Sequence, residues 1–413
     1  MRTAFLAPLL LASAAAQAAD PQMEELLSLI DQQQQQIAAL QQQLDDNRAV
    51  LDSLRTQIES NVAATEEVNQ KAEILAENLE DGPSLAALDT QLGGYGELHF
   101  NMLEEQRGGE DVNEVDFHRF VLFFNHDFSD RLRFTSELEL EHALSGDGEP
   151  GEVELEQAYV EYDWSADHSL KAGLFLVPVG QLNETHEPPT FYGVERNPVE
   201  SRIIPTTWWE AGLAFDGRIG DALNYDVALH SGLDTSAASN YAIRSGRQKV
   251  AEAHFDSQAY TARMRWLGIP GLVVSTSLQY QEDITQGTDP SAGAAWLYEG
   301  DLAWQYRKFG LRALYARWSL DGDGPAAVGA DRQEGWYVEP SWRFNEHWGV
   351  FARYNQWDNQ AGNSEDSGYA QTNLGVNYWL HPNVVFKFDY QDQDAPADRA
   401  EYDGWNLGVG YMF

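Results

Sequence analysis

The chain has 413 residues and no cysteine, and its 26 basic against 66 acidic residues give a formal net charge of −40 at neutral pH. A nucleic-acid partner needs a basic face, so this balance argues against nucleic-acid binding. Without cysteine there is no disulfide framework, no thiolate metal site and no cysteine nucleophile. Beyond the N-terminus no apolar run approaches the roughly 18 residues of a membrane-spanning helix, which argues against a helical membrane protein.

The N-terminus predicts an exported protein. Arg2 provides a basic start, Ala4 to Ala12 form an apolar stretch that is too short to span a bilayer, and Ala16-Gln17-Ala18 has the small-x-small pattern of a cleavage site. In this order they are the three parts of a secretory signal. We therefore expect a signal peptide over residues 1–18.

Residues 23–79 repeat every seven positions, with mostly Leu and Ile at heptad positions a and d. Polar residues interrupt the d positions at Gln33, Asn47 and Asn61. The repeat predicts an α-helical coiled coil over residues 20–81, and its composition favours more than two strands. The alternative is an amphipathic helix lying on its own globular domain, but its repeat would drift toward a period of 3.6 residues.

After Gly93 the helical period gives way to alternation. Sixteen segments of about ten residues carry apolar or aromatic side chains at every second position, as in the run of Leu272, Val274, Leu278 and Tyr280. A strand that crosses lipid in a tilted barrel needs this length and this period. In the second segment two alternating sets of apolar residues could face lipid: Phe117, Val121 and Phe123, or Phe120, Leu122 and Phe124. The sequence does not decide which set faces outward.

The connections between these segments alternate between short and long. Ser129-Asp130 and His381-Pro382 are short, whereas 178–206 and Asp234–Phe255 are long. Bacterial outer-membrane barrels have tight turns at one end and longer loops at the other. A soluble sandwich or propeller has no reason to keep its loops long at one end only. The sequence therefore predicts an all-β fold, a 16-stranded antiparallel transmembrane β-barrel over residues 93–413, preceded by the coiled coil.

A barrel of this width leaves an aqueous lumen, so its inward positions should be polar. We expect the following charged residues to line it: Arg119, Arg131, Arg133, Lys171, Arg263, Arg265, Arg312, Arg353, Lys387, Glu137 and Glu139. The basic residues fall mostly toward the short-turn end and the acidic ones toward the long-loop end. This arrangement predicts an acidic mouth over a basic inner half.

The longest connection, 178–206, contains prolines rather than a flexible Gly/Ser run. A stiff loop of this length is more often functional than idle, and we expect it to fold inward and narrow the lumen. An external lid and a contact between subunits are the alternatives. The charged residues of this loop are Glu184, His186, Glu187, Glu195, Arg196, Glu200 and Arg202. Of these, Glu184, Glu187, Glu195 and Arg196 are expected to face wall residues such as Arg133 and Arg353 and to set up a transverse field.

Five segments resemble one family. Gly93–Asn101, Asp116–Phe120, Glu154–Glu161, Gly173–Gly180 and the terminal Phe413 look like the phosphate-selective porin O and P family of Gram-negative bacteria. The resemblance implies a trimer of sixteen-stranded barrels with an inward-folded third loop, here 178–206. The terminal Phe also resembles the recognition signal of the outer-membrane assembly machinery.

The chain departs from this family in its charge. Phosphate-specific members line the pore with an arginine ladder and a lysine cluster. Here the first 92 residues contain 4 basic and 15 acidic residues, which leaves 22 basic against 51 acidic residues for the barrel. The departure favours a channel of broad specificity over a phosphate-selective one.

An outer-membrane enzyme is the rival class, but the sequence contains no Gly-x-Ser-x-Gly and no His-Glu-x-x-His motif. His118, His126, His142 and His186 are scattered along the chain, and the acidic loops lack the spacing of a calcium site. We therefore expect no catalytic residue, no metal and no cofactor.

These observations predict a porin in the outer membrane of a Gram-negative bacterium, a water-filled channel for passive diffusion of small polar or charged solutes. The expected partners are two further copies in a homotrimer, outer-membrane lipid and the cell wall, which a coiled coil in the periplasm would reach. A phosphate- or anion-selective channel and an outer-membrane anchor or enzyme on a barrel scaffold are the alternatives.

The coiled coil generates the first testable prediction. At about 1.5 Å per residue, residues 23–79 would form a rod of roughly 85 Å. A peptide of residues 20–82 should be helical by circular dichroism and trimeric in sedimentation equilibrium, because Ile and Leu at both a and d favour higher oligomers. A monomeric peptide would contradict the prediction.

Overall fold

The computed structural model describes residues 89–413 and, in isolation, Gln41. The chain separates into two units, residues 1–84 and 85–413, and the strands that the structure describes lie in the second. The predicted signal peptide and coiled coil fall outside the described residues. Among the residues that are described, no helix is long and apolar enough to span a membrane.

Sixteen strands make up the second unit and are joined in chain order. They are β1 (Thr90–Glu105), β2 (Val112–Ser129), β3 (Leu132–Glu141), β4 (Val153–Ser165), β5 (His168–Leu176), β6 (Trp209–Ile219), β7 (Leu223–His230), β8 (Ala259–Ile269), β9 (Leu272–Gln281), β10 (Ala295–Tyr306), β11 (Phe309–Leu320), β12 (Arg332–Arg343), β13 (Trp348–Asp358), β14 (Tyr369–His381), β15 (Val384–Asp394) and β16 (Tyr402–Met412). The long connections contain short helical turns at Pro188–Thr190, Val199–Ile203, Ala237–Ser239, Ile243–Gly246 and Asp323–Ala327.

The sheet is closed. Each strand pairs antiparallel with the next, and β1 pairs with β16. At this seam the Gly94 amide donates to the Phe413 carbonyl over 3.0 Å, and the Phe413 amide donates to the Gly94 carbonyl over 2.9 Å. A Cβ added at Gly94 would stand 2.2 Å from the Val121 carbonyl oxygen, so the close approach of β2 requires a glycine there. The predicted closed sixteen-stranded antiparallel barrel is confirmed.

The outer face is apolar, and burial settles the open phase of β2. Leu122 and Phe124 are exposed on the outside of the barrel, whereas Arg119 and Val121 are buried inside it. The lipid face therefore carries the set Phe120, Leu122 and Phe124. Exposed aromatic residues also gather near the short-turn ends of the strands, where amphipathic rings suit a membrane interface. They include Tyr162, Trp164, Trp266, Tyr306, Trp342 and Trp348.

Three tryptophans near strand ends lie inside the barrel and not at a membrane interface. Trp208 is fully buried, and Trp209 and Trp379 are 4% exposed. The physical reason is the polypeptide that fills part of the lumen. The Trp379 indole N–H, for example, donates to the Pro189 carbonyl over 3.2 Å.

Part of the lumen wall is apolar, where the sequence predicted polar residues throughout. Inward-facing residues of β10–β13 pack in one buried cluster with residues of two long connections, 177–208 and 231–258. The wall contributes Leu297, Leu314, Trp318, Tyr337 and Trp357, and the connections contribute Val199, Ile203, Ile204, Trp208, Leu233 and Ile243. Burying one such side chain stabilises a structure by about 1.5–3 kcal/mol. This cluster fixes the two connections to one side of the barrel.

Candidate functional site

The connection between β5 and β6, residues 177–208, enters the barrel and is called the inward loop below. The Gln181 side-chain amide donates to the Leu302 carbonyl on β10 over 3.0 Å. The Val194 amide donates to Asp389 on β15 over 2.8 Å, and Asn101 on β1 donates to the Glu195 carboxylate over 3.1 Å. Because these strands stand on different sides of the barrel, the inward loop crosses the lumen, in agreement with the prediction from the sequence.

Glu200 holds the inward loop together. Its Oε1 accepts from the amides of Gln181 and Leu182 over 2.6 and 2.7 Å. Its Oε2 accepts from the Asn197 side chain and the Tyr337 hydroxyl, each over 2.9 Å. The residue is only 2% exposed, and a buried carboxylate requires such partners. Glu200 therefore ties both legs of the loop to the wall rather than facing the lumen.

A cavity of about 200 Å³ lies beside the inward loop, between groups of opposite charge. One side, the acidic wall, consists of carboxylates on β1, β3 and β4, namely Glu97, Glu139, Glu141, Glu154 and Glu156. The other side consists of basic residues of the inward loop and of the β7–β8 loop (231–258), namely Arg196, Arg244, Arg247 and Lys249. Opposed charges across a narrow passage produce a transverse field.

The sequence predicted that Glu184, Glu187, Glu195 and Arg196 of the loop face Arg133 and Arg353, and both of these arginines form ion pairs with the wall instead. Arg133 pairs with Asp163 over 2.6 Å and with Glu161 over 2.9 Å, so it does not face the loop. Arg353 is 2% exposed, pairs with Glu339 over 3.3 Å, and donates to a carbonyl of the loop. Both arginines are thus neutralised by carboxylates of neighbouring strands.

The predicted basic inner half is also largely neutralised. Lys171 lies 3.3 Å from Asp216, and the Arg263 Nε donates to Asp226 over 2.9 Å. Arg263 additionally pairs with Glu184 of the inward loop, and Arg265 lies 3.6 Å from Asp226. Carboxylates on alternate positions of adjacent strands provide these partners, so this half does not carry the net positive charge predicted.

The remaining basic candidates bind carbonyl groups or an aromatic ring. Arg131 is exposed at a short turn and donates to the Asp163 carbonyl over 2.9 Å. Arg312 donates to the Thr190 carbonyl of the inward loop over 2.9 Å. The Lys387 ammonium lies 3.5 Å from the centroid of the Phe191 ring, a cation–π contact. Arg312 and Lys387 therefore hold the inward loop in place through Thr190 and Phe191.

Two predicted pore-lining residues, Arg119 and Glu139, line the cavity, and Glu137 lies on the same strand as Glu139. Arg119 is 3% exposed and donates to Glu97 over 2.6 Å and to the His186 carbonyl over 3.3 Å. Glu137 and Glu139 lie beside it and are 1% and 6% exposed. Of the other loop candidates, Glu187 is half-buried and Arg202 is exposed toward the long-loop end.

Histidines that are scattered in the sequence cluster in space. The rings of His99 and His118 stack with centroids 4.6 Å apart, and His142 lies 2.6 Å from Asp116. His99 also lies 3.0 Å from Glu195 and so joins the inward loop to β1. Antiparallel pairing of β1–β3 places His118 and His142 on one inner face, which their positions along the sequence do not show.

The sequence analysis missed the basic residues of the β7–β8 loop. Arg244 donates to the carbonyls of Ser201 and Thr206 over 3.0 and 3.2 Å, and Arg247 donates to the Thr207 carbonyl over 2.8 Å. Burial and the charge of Arg247 lower the pKa of Arg244 to about 10, so it remains charged at neutral pH. The signal that would have found them is a run of basic residues inside one loop of an acidic chain.

A closed barrel with sixteen strands, an apolar outer face and a loop across its lumen defines an outer-membrane channel. A comparison with protein families agrees, since residues 82–398 match the model of the Gram-negative porin family. A curated protein of Aquifex aeolicus (strain VF5), described as uncharacterized, is 30% identical over 354 residues, which cover 78% of this chain and 79% of that protein. The chain therefore belongs to the Gram-negative porins.

Solved structures of outer-membrane proteins share the fold. Salmonella typhi OmpF in complex with daunomycin has a TM-score of 0.58 at 14% identity and covers 80% of this chain and 99% of its own. The anion-selective porin of Comamonas acidovorans has a TM-score of 0.54 at 14% identity, covering 78% and 99%. Vibrio cholerae OmpT in its trimer form has a TM-score of 0.52 at 10% identity, covering 78% and 99%.

The role of Glu200 can be tested with Glu200→Ala. The change leaves buried amides and the Tyr337 hydroxyl without their acceptor, at about 1–3 kcal/mol for each unpaired group. The inward loop should then be held less firmly, and single-channel recordings should show a larger and noisier conductance. Glu187→Ala is the matched control, because it removes the same charge from the same loop. Equal conductance and noise in both variants would contradict this role.

Proposed function

We propose that the channel conducts small polar and charged solutes with weak ion selectivity, and that its narrow part lies between the acidic wall and the basic residues of the two loops. The observation that carries the proposal is the cavity with carboxylates on one side and arginines on the other. A passage bordered by both signs of charge favours neither cations nor anions strongly. Its field acts instead on the orientation of dipolar solutes.

The net charge of −40 does not make the channel strongly selective for cations. Salt solution screens exposed charges beyond about 8–10 Å, so carboxylates in distant loops contribute little at the narrow part. Within the lumen, ion pairs such as Arg133–Asp163 and Arg263–Asp226 cancel locally. Selectivity therefore depends on the few charged groups that border the cavity.

An anion-selective channel, phosphate-selective as in the O and P family, is the second candidate. The group formed by Arg196, Arg244, Arg247 and Lys249 favours it, since guanidinium and ammonium groups bind phosphate. Two observations weigh against it: Lys249 pairs with Glu152 and Glu154, and six carboxylates, those of the acidic wall and Glu195, border the same cavity. A phosphate ion would have to approach against their negative charge.

The proposal assigns no catalytic residue and no cofactor, and treats the protein as a channel rather than an enzyme. It also includes a homotrimer, which the heptad pattern of residues 23–79 and the trimeric Vibrio cholerae OmpT support. In this proposal, residues 1–18 direct export and the barrel contacts outer-membrane lipid. The coiled coil of residues 20–81 extends through the periplasm toward the cell wall.

Planar-bilayer recording of the purified protein in asymmetric KCl tests the selectivity. Arg244→Gln combined with Arg247→Gln removes two positive charges from the cavity and retains side-chain donors toward the loop carbonyls. The ratio of cation to anion permeability should rise severalfold, on the order of what one or two charges produce in a narrow passage.

The matched control is Arg131→Gln combined with Arg218→Gln, which removes two positive charges at the short-turn end and should leave the reversal potential unchanged. An unchanged reversal potential in the cavity variant would contradict the proposed location of the narrow part. Exclusion of cations by the wild type, together with micromolar binding of phosphate, would favour the second candidate.

A further inference from the structure

Three buried side chains meet where the inward loop touches β3 and β4. Glu137, Glu156 and His186 are 1%, 1% and 3% exposed, and one ligand atom from each lies within 4.8 Å of the other two. The His186 Nε2 lies 3.4 Å from the Glu137 Oε1 and 3.8 Å from the Glu156 Oε2. The loop thus presents an imidazole to two carboxylates of the barrel wall.

The tautomer of His186 is fixed by its other nitrogen. The Nδ1 lies 2.9 Å from the Asn183 carbonyl oxygen, so it carries the proton and donates it there. Asn183 is itself held firmly, because its side-chain oxygen accepts from the Trp208 amide over 2.7 Å. The Nε2 of His186 therefore directs a lone pair, and no proton, toward the two carboxylates.

This arrangement leaves negative groups facing one another. Within residues 89–413, the His186 Nε2 and the Glu156 Oε2 are buried and have no hydrogen-bond partner. Leaving a buried polar atom unpaired costs about 1–3 kcal/mol, and two carboxylates beside a lone pair repel one another in addition. A positive charge between the three atoms would relieve both costs.

We propose that Glu137, Glu156 and His186 bind a divalent transition-metal cation, with Zn²⁺ as the best-fitting ion, and that this ion fastens the inward loop to the barrel wall. One imidazole nitrogen and two carboxylate oxygens form a donor set that zinc accepts, with a fourth position open to water. Tetrahedral ligands at about 2.0–2.2 Å from zinc stand about 3.3–3.6 Å apart. The observed 3.4 and 3.8 Å are close to this spacing.

The surroundings of the three ligands also suit a metal. A histidine that binds metal commonly donates its other N–H to a backbone carbonyl, as His186 does to Asn183. The Gln157 side chain donates to the Glu137 Oε2 over 2.6 Å, and the Tyr95 hydroxyl donates to its Oε1 over 3.3 Å, so this carboxylate is oriented. The Arg119 guanidinium, which donates to the His186 carbonyl, forms its ion pair with Glu97.

The proposed ion would act on the leg of the inward loop that carries His186. The apolar cluster holds the start of this leg, at Val177 and Val179, and the end of the other leg, at residues 199–208, to the side of β10–β13, whereas His186 lies beside the acidic wall. A metal at His186 would hold this part of the leg in place. The inference rests on the inward path of the loop and not on the proposed ion selectivity, so the two can fail separately.

The test uses the full-length protein in detergent, stripped with a chelator and titrated with ZnCl₂ in a calorimeter. We expect one zinc ion per chain and a rise in the melting temperature with zinc concentration, because a ligand that binds only the folded state stabilises it. Loss of a residue that only hydrogen-bonds to a metal ligand costs roughly 10–100-fold in metal affinity. His186→Gln and Glu156→Gln remove ligands themselves, so each should weaken zinc binding by more than this.

The matched control is His118→Gln, which removes a histidine of the separate His99–His118–His142 cluster and should leave zinc affinity unchanged. Circular dichroism and heat-modifiable migration in gels verify that each variant still forms the barrel. Three outcomes would overturn the proposal: no binding to the wild type, which would indicate a proton shared by His186 and the carboxylates; full binding by His186→Gln; or binding that is lost in His118→Gln instead.

Discussion

The need to pair every backbone N–H and C=O within the protein governs this structure. Hydrocarbon offers no hydrogen bonds, so a sheet in the membrane must close, and here the Gly94–Phe413 pair completes the seam between β1 and β16. Closure with sixteen strands has a geometric consequence, because the circumference exceeds what the wall side chains can fill. The wide lumen that results is the space that the inward loop occupies.

The inward loop is held by two different kinds of interaction on its two sides. Toward β10–β13 it contributes Val199, Ile203 and Trp208 to an apolar cluster that excludes water. Toward β1–β4 it meets charged and polar groups through His186, Glu195 and Arg196. Because one side is packed and dry, the cavity lies on the other. The position of the passage next to the acidic wall thus follows from where the apolar residues of the loop are placed.

The sequence predicted the barrel well, because the signals are local. Alternation of apolar residues within a strand and alternation of short and long connections are both readable along the chain, and they yielded sixteen strands in the observed order. Even the doubt about β2 had a physical basis, since Val121 and Phe123 face inward although they are apolar. The inward path of the longest connection was also foreseen from its length and its prolines.

The candidate site was harder to predict because it depends on register and on loop paths. Nothing in the spacing of His99 and His118 shows that their rings stack, since this requires the offset between β1 and β2. The β7–β8 loop was overlooked because its arginines reach the cavity only through the fold of that loop. Likewise, Leu297 and Trp318 face inward because a loop covers them, which no strand pattern reveals.

The same distinction explains why charge composition predicts this channel poorly. A charge that touches its counter-ion, as Arg133 touches Asp163, contributes little field beyond the pair. Charges that a water-filled cavity keeps apart, as it keeps Arg244 from the acidic wall, contribute a field across the whole passage. Both arrangements draw on the same residue types, and the net charge of −40 does not distinguish them. The separation of the charges, set by the anchoring of the two loops, therefore determines what a permeating solute experiences.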